Sequence, residues 1–519
     1  MIEKKSARIC VPVCSDHAHQ IQSAVTLAAE YGDTVEIRLD CLTDDELYHV
    51  QHDLVNILKE CVRPIIFTCR PLEQGGRREF SIGRRLRFWV ILLEELLRDN
   101  SNFADVEYDV AEVLTNAEKY LTPLPWERVI CSYHDFLGIL DNLEDIYARM
   151  AATKARVLKI AVQVDDITDC IPVLRLLNRA HRDGRGMIAI AMGTAGILTR
   201  ILGPSRGAFL TYGSLDDESA TAPGQVTAFA LRDQYRIDRI TERTEIMGLV
   251  GQPITHSISP QIHNAAFAAT ELDAVYIPFE VRELDEFIRR MVHPRTRELD
   301  WNLRGLSVTA PHKTAIMRHL DWIDPSAIEI GAVNTVVIAG DGLYGYNTDA
   351  EAAIGPLPGL IDLHGAHVAV LGAGGLARSL LWALRKGGAH VIVFARDVER
   401  GTLTARGFGA ECRTLRDARF GEFDIVINTT PLGTRGTGEE ATPASSSQLR
   451  GAKCAYDLVY NPPETRFMRE ARDAGCQVLG GLQMLVAQAA EQFKLWTDRD
   501  APEQVMLDVA KKALAENGV

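Results

Sequence analysis

Basic residues are in short supply. Lys and Arg total 56 against 70 Asp and Glu, a formal net charge of -14 over 519 residues. A phosphate-covered partner calls for the opposite balance, so general nucleic-acid binding is disfavoured, whereas small anionic metabolites need only a locally basic pocket. Long apolar runs are missing as well. The most apolar helical stretch, Leu86 to Leu97, is interrupted by Glu94 and Glu95 and falls far short of the roughly 20 residues that cross a bilayer. The segment Met1 to Arg8 is charged and enters a strand-like run at once, with neither a leader and cleavage site nor an Arg/Ser-rich transit stretch. The expectation is a cytoplasmic protein without membrane contact. Ten cysteines, irregularly spaced, fit a reducing compartment better than a disulfide framework. Cys10, Cys14, His17 and His19 lie close in sequence, but the cysteines sit in an apolar strand and no second ligand pair follows. Core thiols and surface histidines are expected there, and no metal.

What is present is an α/β pattern in two parts. Apolar residues at 46% and charged residues at 24% are ordinary for a chain with buried cores, and the length suggests two to four domains. The junction is Arg236–Gly251, RIDRITERTEIMGLVG: one unit ends before it, at Ala222-Pro223-Gly224-Gln225, and a fresh buried strand, Ile246–Gly251, begins at its close.

In the first half, short apolar runs recur at Arg8–Cys14, Val35–Asp40, Pro64–Arg70, Phe103–Val110, Arg128–Phe136, Val157–Val162, Gly186–Gly193 and Ala208–Gly213. Helix-period segments such as Phe88–Arg98, Asn142–Ala152, Ile171–Arg182 and Ala195–Leu202 separate them. Eight strands alternating with helices predict a parallel (β/α)₈ barrel whose site lies at the C-terminal strand ends. Polar residues gather there. Glu36 and Arg38 share one face of the second run, opposite Ile37 and Leu39; Arg70 ends the third, and His134-Asp135 the fifth. In VLKIAV, Lys159 is the only charge of an apolar strand. Burial would favour the neutral amine that attacks a carbonyl to form a Schiff base. The bland alternative is a lysine paired with a barrel carboxylate such as Glu36.

The set EIRLD, FTCR, SYHDF, VLKIAV, AMG and TAPGQ, in this order, resembles type I 3-dehydroquinate dehydratase over residues 1 to about 235. The resemblance implies that Lys159 forms an imine with the substrate ketone, and that His134 serves first as general base and then as general acid. It also implies that Glu36, with Arg38 behind it, holds the histidine or substrate hydroxyls. Arg70 and Arg200 would fork a carboxylate, and Thr221 and Gln225 would close the loop after strand eight. Two positions depart from the family pattern: Gln74 stands where an acid usually precedes Gly-Gly, and Thr221 where serine is usual.

In the second half, GLVGQPITHSISPQIHNAAF places a strand, a polar turn and a helix opened by Ser259-Pro260. Proline suits the first turn and serine the cap, so Ser257 and Ser259 offer hydroxyls beside free N–H groups. GLSVTAPHK runs a strand to Thr309 and sets Lys313 at a helix start, where the dipole gives a cation no structural purpose. GAVNTVV and GLYGYNTDA flank Asp341-Gly342, a hairpin turn that brings Asn334 near Thr348 and Asp349. HVAVLGAGGLARS runs a buried strand into Gly372-Ala373-Gly374-Gly375-Leu376-Ala377 and a helix, the glycine turn of a dinucleotide site in its required context. The next strand ends at Arg396, backed by Arg400, which favours a 2′-phosphate and hence NADP.

SISP, VTAPHK, GAVNT, YNTDA, GAGGLAR, DLVYNPPET and GLQMLVAQA resemble shikimate dehydrogenase over residues 245–519. The resemblance implies Lys313 and Asp349 as the catalytic pair. Ser257, Ser259, Thr309, Asn334, Tyr460 and Gln488 would contact substrate, with Thr430 along the nicotinamide. Ser307 departs from a common asparagine, Gln483 from a common glycine, and Ala395 and Asp397 flank the phosphate arginine.

The expected layout is a barrel over 1–238, a substrate-binding domain over 244–350 and 482–519, and a Rossmann NADP domain over 351–481. Consecutive reactions follow from the two resemblances: dehydration of 3-dehydroquinate to 3-dehydroshikimate, then NADPH-dependent reduction to shikimate. A quinate dehydrogenase second half is the alternative within the fold. A catalytically dead metabolite sensor is the alternative outside enzymology, and the presence of all four of Lys159, His134, Lys313 and Asp349 disfavours it.

Overall fold

The computed structural model describes residues 7–47, 61–96, 101–117, 125–138, 142–216, 218–436 and 438–516, with backbone only over 91–96. The chain start through Ser6, and Leu97 and Arg98 at the end of the apolar helix, lie outside the described residues. The fold divides into two compact units at Thr244/Glu245.

The first unit contains eight strands: β1 (Ile9–Val13), β2 (Thr34–Arg38), β3 (Ile65–Thr68), β4 (Phe103–Glu107), β5 (Val129–Asp135), β6 (Val157–Gln163), β7 (Gly186–Met192) and β8 (Thr211–Tyr212). They form one parallel sheet in the order β7-β6-β5-β4-β3-β2-β1-β8. Phe209 N–H donates to the Met187 carbonyl at 2.7 Å and draws the last gap of the barrel together. Several strands are shorter than their apolar runs suggested, β4 and β8 among them. β4 stops at Glu107 because the helix Tyr108–Ala117 begins at the next residue. β8 keeps only two ladder residues, and at Gly213 the Ala228 backbone passes so close that a Cβ there would sit 2.8 Å from it.

Strand alternation decides which side chains enter the barrel. On β6, Val157 and Ala161 join Cys10, Ile66, Ile130 and Ile188 in the interior cluster, so Lys159, two residues from each, must point inward too. Cys14, expected as a core thiol, instead forms a disulfide with Cys41. The strand ends at Val13, so Cys14 lies in the turn after β1, and it faces the short helical turn Leu39–Cys41 that follows β2.

The second unit carries two sheets. One is mixed: β9 (Glu245–Gly251), β10 (Ala274–Glu280), β11 (Leu303–Val308), β12 (Trp322–Ile323), β13 (Thr335–Ala339) and β14 (Gly342–Tyr346), in the order β10-β9-β11-β13-β14-β12. The β13–β14 hairpin pairs Ala339 with Gly342. The other sheet is parallel: β15 (His367–Leu371), β16 (His390–Ala395), β17 (Glu411–Thr414), β18 (Ile425–Asn428), β19 (Cys454–Asp457) and β20 (Gln477–Gly480). Its order, β17-β16-β15-β18-β19-β20, reverses direction beside β15, the switch point where doubly wound sheets bind dinucleotides. Apolar clusters cover both faces of it, as a parallel sheet requires. The helix Leu482–Thr497 leaves this sheet and buries Leu485, Ala489, Phe493 and Trp496 against Met247, Phe267 and Tyr276 of the mixed-sheet core. Gly305 leaves room for Trp496, whose indole would lie 2.3 Å from a Cβ there. Among the described residues no helix is long and apolar enough to cross a membrane.

Candidate active sites

At the C-terminal end of the barrel, Glu36, Arg38, Arg70, His134, Lys159, Arg200, Thr221 and Gln225 line one small cavity. Lys159 is buried and fully engaged: Nζ donates to Asp105 Oδ2 at 2.7 Å, to the Tyr212 hydroxyl at 2.9 Å and to Glu36 Oε1 at 3.4 Å. The carboxylate pairing left open by the sequence is therefore present, with Asp105 as the nearer partner. A buried ammonium of this kind is tolerated only because its three protons are all received.

Arg70 completes the network. Its Nη2 donates to the same Asp105 oxygen at 2.9 Å, and its Nη1 donates to Ser132 Oγ at 2.9 Å and to His134 Nδ1 at 2.7 Å. Burial alone would raise the Asp105 carboxyl, but Arg70 and then Lys159 hold it well below the usual carboxylate range. Burial, reinforced by the charges of Arg70 and Lys159, pushes His134 well below an ordinary histidine. The ring is neutral at neutral pH, as a general base must be.

The structure bears on two expectations. Of the two roles expected for Glu36 and Arg38, holding the histidine is not seen: neither side chain bonds the ring, which leaves the substrate hydroxyls. Glu36 Oε1 accepts from Thr68 at 2.8 Å and from Tyr212 at 3.3 Å, while Arg38 grips Asp40 through Nε and Nη2 at 2.9 and 2.8 Å. Arg70 holds the ring instead, and Gln74 Oε1 accepts the backbone N–H of His134 at 3.3 Å. Nor are Arg70 and Arg200 equivalent forks. Arg70 bonds Asp105, Ser132 and His134, whereas buried Arg200 makes one long bond to the Tyr212 carbonyl and leaves Nε and Nη2 without a partner among the described residues. Burial lowers Arg200 to about 10, and an anion brought to those two nitrogens would relieve the cost. Thr221 N–H donates to Gln225 Oε1 at 2.9 Å, pinning the loop after β8.

Asp105, Glu107 and Tyr212 escaped the sequence reading. Asp105 and Glu107 alternate with Ala104 and Val106 in FADVE, so the two-residue period that revealed Glu36 and Arg38 would have revealed them too. Nothing in the sequence around Tyr212 pointed to Lys159.

In the second unit, Lys313 Nζ lies 2.5 Å from Asp349 Oδ2. Asn334 Nδ2 donates to Asp349 Oδ1 and to Thr348 Oγ1, both at 2.9 Å. A further layer fixes Asn334. Thr335 Oγ1 donates to its Oδ1 at 2.9 Å, and Gln492, held by Ser307 at 2.8 Å, donates to the Asn334 carbonyl at 3.3 Å. Gln492 and Thr335 were not anticipated. Lys313 does not open an α-helix: residues 311–314 are turns and a 3₁₀ segment starts at Ala315.

The serine pair also differs in detail. The helix Ser259–Ala269 has Ile258 at its cap position, and it is the Ser257 hydroxyl that accepts the Ser259 N–H, at 3.3 Å, while bonding Ser259 Oγ at 3.1 Å. Burial raises the Tyr460 phenol, and a hydrogen-bonding contact with Ser257 partly offsets it. Thr309 lies just past β11. Gln488 Nε2 donates to the Leu485 carbonyl of its own helix at 2.9 Å, and its own carbonyl accepts from Thr348 at 3.2 Å.

A cleft of about 1070 Å³ is lined by Gly372, Ala373, Gly374, Arg396, Arg400 and Thr430. Gly372 has φ +113, where a Cβ would meet Thr429 Oγ1 at 2.6 Å, so only glycine keeps the turn. The helix Gly375–Lys386 begins there with Leu376 and Ala377 in its first turn, its N-terminus facing the cleft as a pyrophosphate site requires. Asp397 caps the helix Val398–Arg406 by accepting the Arg400 N–H at 3.1 Å, so its carboxylate is already occupied. A Cβ on Gly375 would lie 3.3 Å from Lys313 Cδ: the glycine turn and Lys313 are packed together.

A buried lysine beside a neutral histidine in a parallel barrel, followed by a lysine–aspartate pair against a glycine turn, defines a two-site α/β enzyme. The comparisons with known proteins name the sites' relatives. Residues 9–242 match the type I 3-dehydroquinase model, 249–336 the shikimate dehydrogenase substrate binding domain and 481–511 the shikimate 5'-dehydrogenase C-terminal domain. The chain is 33% identical over 533 residues to the chloroplastic bifunctional 3-dehydroquinate dehydratase/shikimate dehydrogenase of Arabidopsis thaliana, covering 98% of this chain and 85% of that one. It is 40% identical over 288 residues to the shikimate dehydrogenase (NADP(+)) of Moorella thermoacetica, covering 53% of this chain and 96% of that one. A crystal structure of a shikimate dehydrogenase in complex with NADP+ aligns with TM-score 0.49 at 32% identity, over 53% of this chain and 97% of that chain. The chain belongs to the bifunctional 3-dehydroquinate dehydratase/shikimate dehydrogenase family.

Proposed function

We propose that the barrel (1–238) dehydrates 3-dehydroquinate through an imine on Lys159, and that the second unit reduces the resulting 3-dehydroshikimate to shikimate with NADPH. In this reading 244–350 and 482–519 bind the substrate and 351–481 the cofactor. The observation that carries it is the presence on one chain of Lys159 and neutral His134 in one barrel cavity and of Lys313 bonded to Asp349 beside the glycine turn.

In the barrel, Arg200 offers its two free nitrogens to the substrate carboxylate, and the loop pinned by Thr221 and Gln225 covers it. Lys159 attacks the ketone. The imine acidifies the neighbouring C–H, His134 takes that proton, and the same ring returns a proton to the departing hydroxyl. The ring's lone pair is the one that Arg70 Nη1 now holds at 2.7 Å, so the base becomes available when Arg70 turns toward the substrate.

In the second unit, Ser257, Ser259, Thr309, Asn334, Tyr460 and Gln488 would orient the ring. Asp349, held by Asn334, fixes the Lys313 ammonium where it can protonate the new alkoxide. Bound NADPH would supply the hydride. The Gly372–Ala377 turn and Thr430 suit its pyrophosphate and nicotinamide, and Arg396 and Arg400 the 2′-phosphate. The cytoplasmic location expected from the sequence belongs to this proposal, and cell fractionation checks it against the organellar location in the Arabidopsis relative's name.

NADPH oxidation with 3-dehydroquinate as the sole carbon substrate tests the whole reading. Shikimate should appear. Accumulating 3-dehydroshikimate without oxidation would refute the second half, and activity on quinate instead would reassign it. Unchanged 3-dehydroquinate would refute the barrel assignment.

A further inference from the structure

The imine chemistry proposed for Lys159 requires its ammonium to lose protons within the barrel cavity, where the side chains around Nζ decide which way they go. Forming the iminium from an ammonium and a ketone moves two protons from nitrogen to the oxygen that leaves as water, with the single positive charge kept on nitrogen. Three groups touch Nζ, and they differ in what they can do. Asp105 is the closest, at 2.7 Å, but Arg70 binds the same oxygen at 2.9 Å, which makes this carboxylate a reluctant proton acceptor. Glu36 is farther, at 3.4 Å, and its Oε1 receives two hydroxyls, those of Thr68 at 2.8 Å and Tyr212 at 3.3 Å.

Between lysine and Glu36 stands the Tyr212 phenol, 2.9 Å from Nζ. Nζ also lies 4.3 Å from the centre of the tyrosine ring, which fixes the amine above it. Tyr212 is held in turn: its backbone pairs with Cys10 of β1, and its carbonyl accepts from Arg200 at 3.4 Å.

We propose that Tyr212 is a catalytic residue of the barrel site, relaying a proton between the Lys159 nitrogen and Glu36. In the forward direction the N–H proton passes to the phenol oxygen as the phenol proton passes to Glu36 Oε1. The result is a neutral amine with its lone pair bonded by the tyrosine O–H, a neutral tyrosine and a protonated Glu36, with no net change of atoms or charge. As the amine attacks, the C–N bond forms and a second N–H proton passes to the former ketone oxygen, giving the neutral carbinolamine. The Glu36 proton then goes to that hydroxyl as the C–O bond breaks and water departs, which leaves the iminium and an ionised Glu36. Imine hydrolysis runs the same path in reverse. Burial, and then the Glu36 charge, hold the phenol well above its ordinary value, so it keeps the proton that a relay needs.

The proposal rests on Lys159 being the imine-forming lysine, and one experiment separates the two. The full chain is mixed rapidly with 3-dehydroquinate, quenched with borohydride at successive times, and the reduced adduct on Lys159 is quantified by mass spectrometry. Wild type should label stoichiometrically. Tyr212→Phe should reach the same end point with the first-order labelling rate lowered about tenfold or more, the lower range of acid–base contributions. Glu36→Gln, which keeps the phenol but removes its acceptor, should slow labelling in the same way. No labelling of wild type would refute the imine reading itself. Wild-type labelling with an unchanged rate in Tyr212→Phe would overturn the relay. Should Tyr212→Phe fail to label at any time, Glu36→Gln decides: slowed but complete labelling supports the relay, and a wild-type rate overturns it.

Discussion

Arg70 Nη1 lies 2.7 Å from His134 Nδ1. A guanidinium only donates, so the neutral imidazole carries its lone pair at Nδ1 and its proton at Nε2. The same arginine is one of the charges that keep the ring neutral. Arg70→Gln removes both effects. The pKa of His134 should move up toward the ordinary histidine value, and the acid limb of the dehydratase pH profile should move to higher pH with it. The dehydratase kcat should fall about a hundredfold, within the range of acid–base contributions. Histidine NMR titration and a pH–rate series check both, and an unmoved His134 titration would refute the coupling.

Glu107 sits at the centre of a second electrostatic conflict. Burial raises its carboxyl to about 7, only partly offset by Arg70 and Arg85 and worsened by Asp105. Its folded pKa therefore exceeds its unfolded value, so the fold binds a proton more tightly than the unfolded chain between roughly pH 4.5 and 7. The stability it contributes is full below that window and is lost as pH rises through it, by roughly 3 kcal/mol. Glu107→Gln imitates the protonated acid and should flatten this loss, leaving the variant more stable than wild type at pH 8 and close to it at pH 4.5. Denaturant midpoints at the two pH values measure it.

The sequence made the barrel legible because its strands are short apolar runs bounded by helix signals, and each of the eight runs overlaps an observed strand. The polar residues it singled out, from Glu36 to Gln225, line one cavity. What stayed hidden were the contacts. Whether Arg70 meets a substrate carboxylate or Asp105 depends on neighbours 35 residues away in the chain, and no periodicity reports that. Ser257 and Ser259 show the same limit: propensity found the helix start but assigned the cap to the wrong hydroxyl, since Ser257 reaches back from outside the helix. The Cys14–Cys41 disulfide was missed because cysteine count and spacing say nothing of which turns meet at the barrel mouth.

Lys313 pairs with Asp349 at 2.5 Å, and its stem packs on Gly375. Lys313→Met keeps the stem and removes the proton donor. The dehydrogenase kcat should fall at least a hundredfold, while NADPH affinity, read by fluorescence titration, changes little. Equal losses in kcat and cofactor binding would mean that the lysine supports the cofactor turn and not the chemistry.

Arg396 and Arg400 line the dinucleotide cleft without a carboxylate partner among the described residues, and Asp397 accepts the Arg400 N–H as a helix cap. Replacing both arginines with glutamine should cost NADPH about ten- to a hundredfold in kcat/KM, the worth of one or two charge-assisted bonds. NADH should be nearly unaffected. The ratio of the two kcat/KM values is the measurement, and a ratio unchanged from wild type would place 2′-phosphate recognition elsewhere in the cleft.

The Cys14–Cys41 bridge joins the turn after β1 to the turn after β2, directly beside Asp40, whose carboxylate accepts from Arg38 and from the backbone of Arg70 and Arg77. Eight cysteines remain free, so thiol titration of the denatured, unreduced chain should give eight groups, rising to ten after reduction. The bridge spans 27 residues, and closing a loop of that size in the unfolded chain stabilises a fold by about 3 kcal/mol in the chain-entropy account. Cys14→Ser with Cys41→Ser should lower stability by about that amount. Because Asp40 follows directly from β2 and anchors Arg38 independently, dehydratase activity at low temperature should survive. Ten thiols before reduction would refute the bridge, and a large loss of activity in a stable double variant would show that it shapes the cavity mouth.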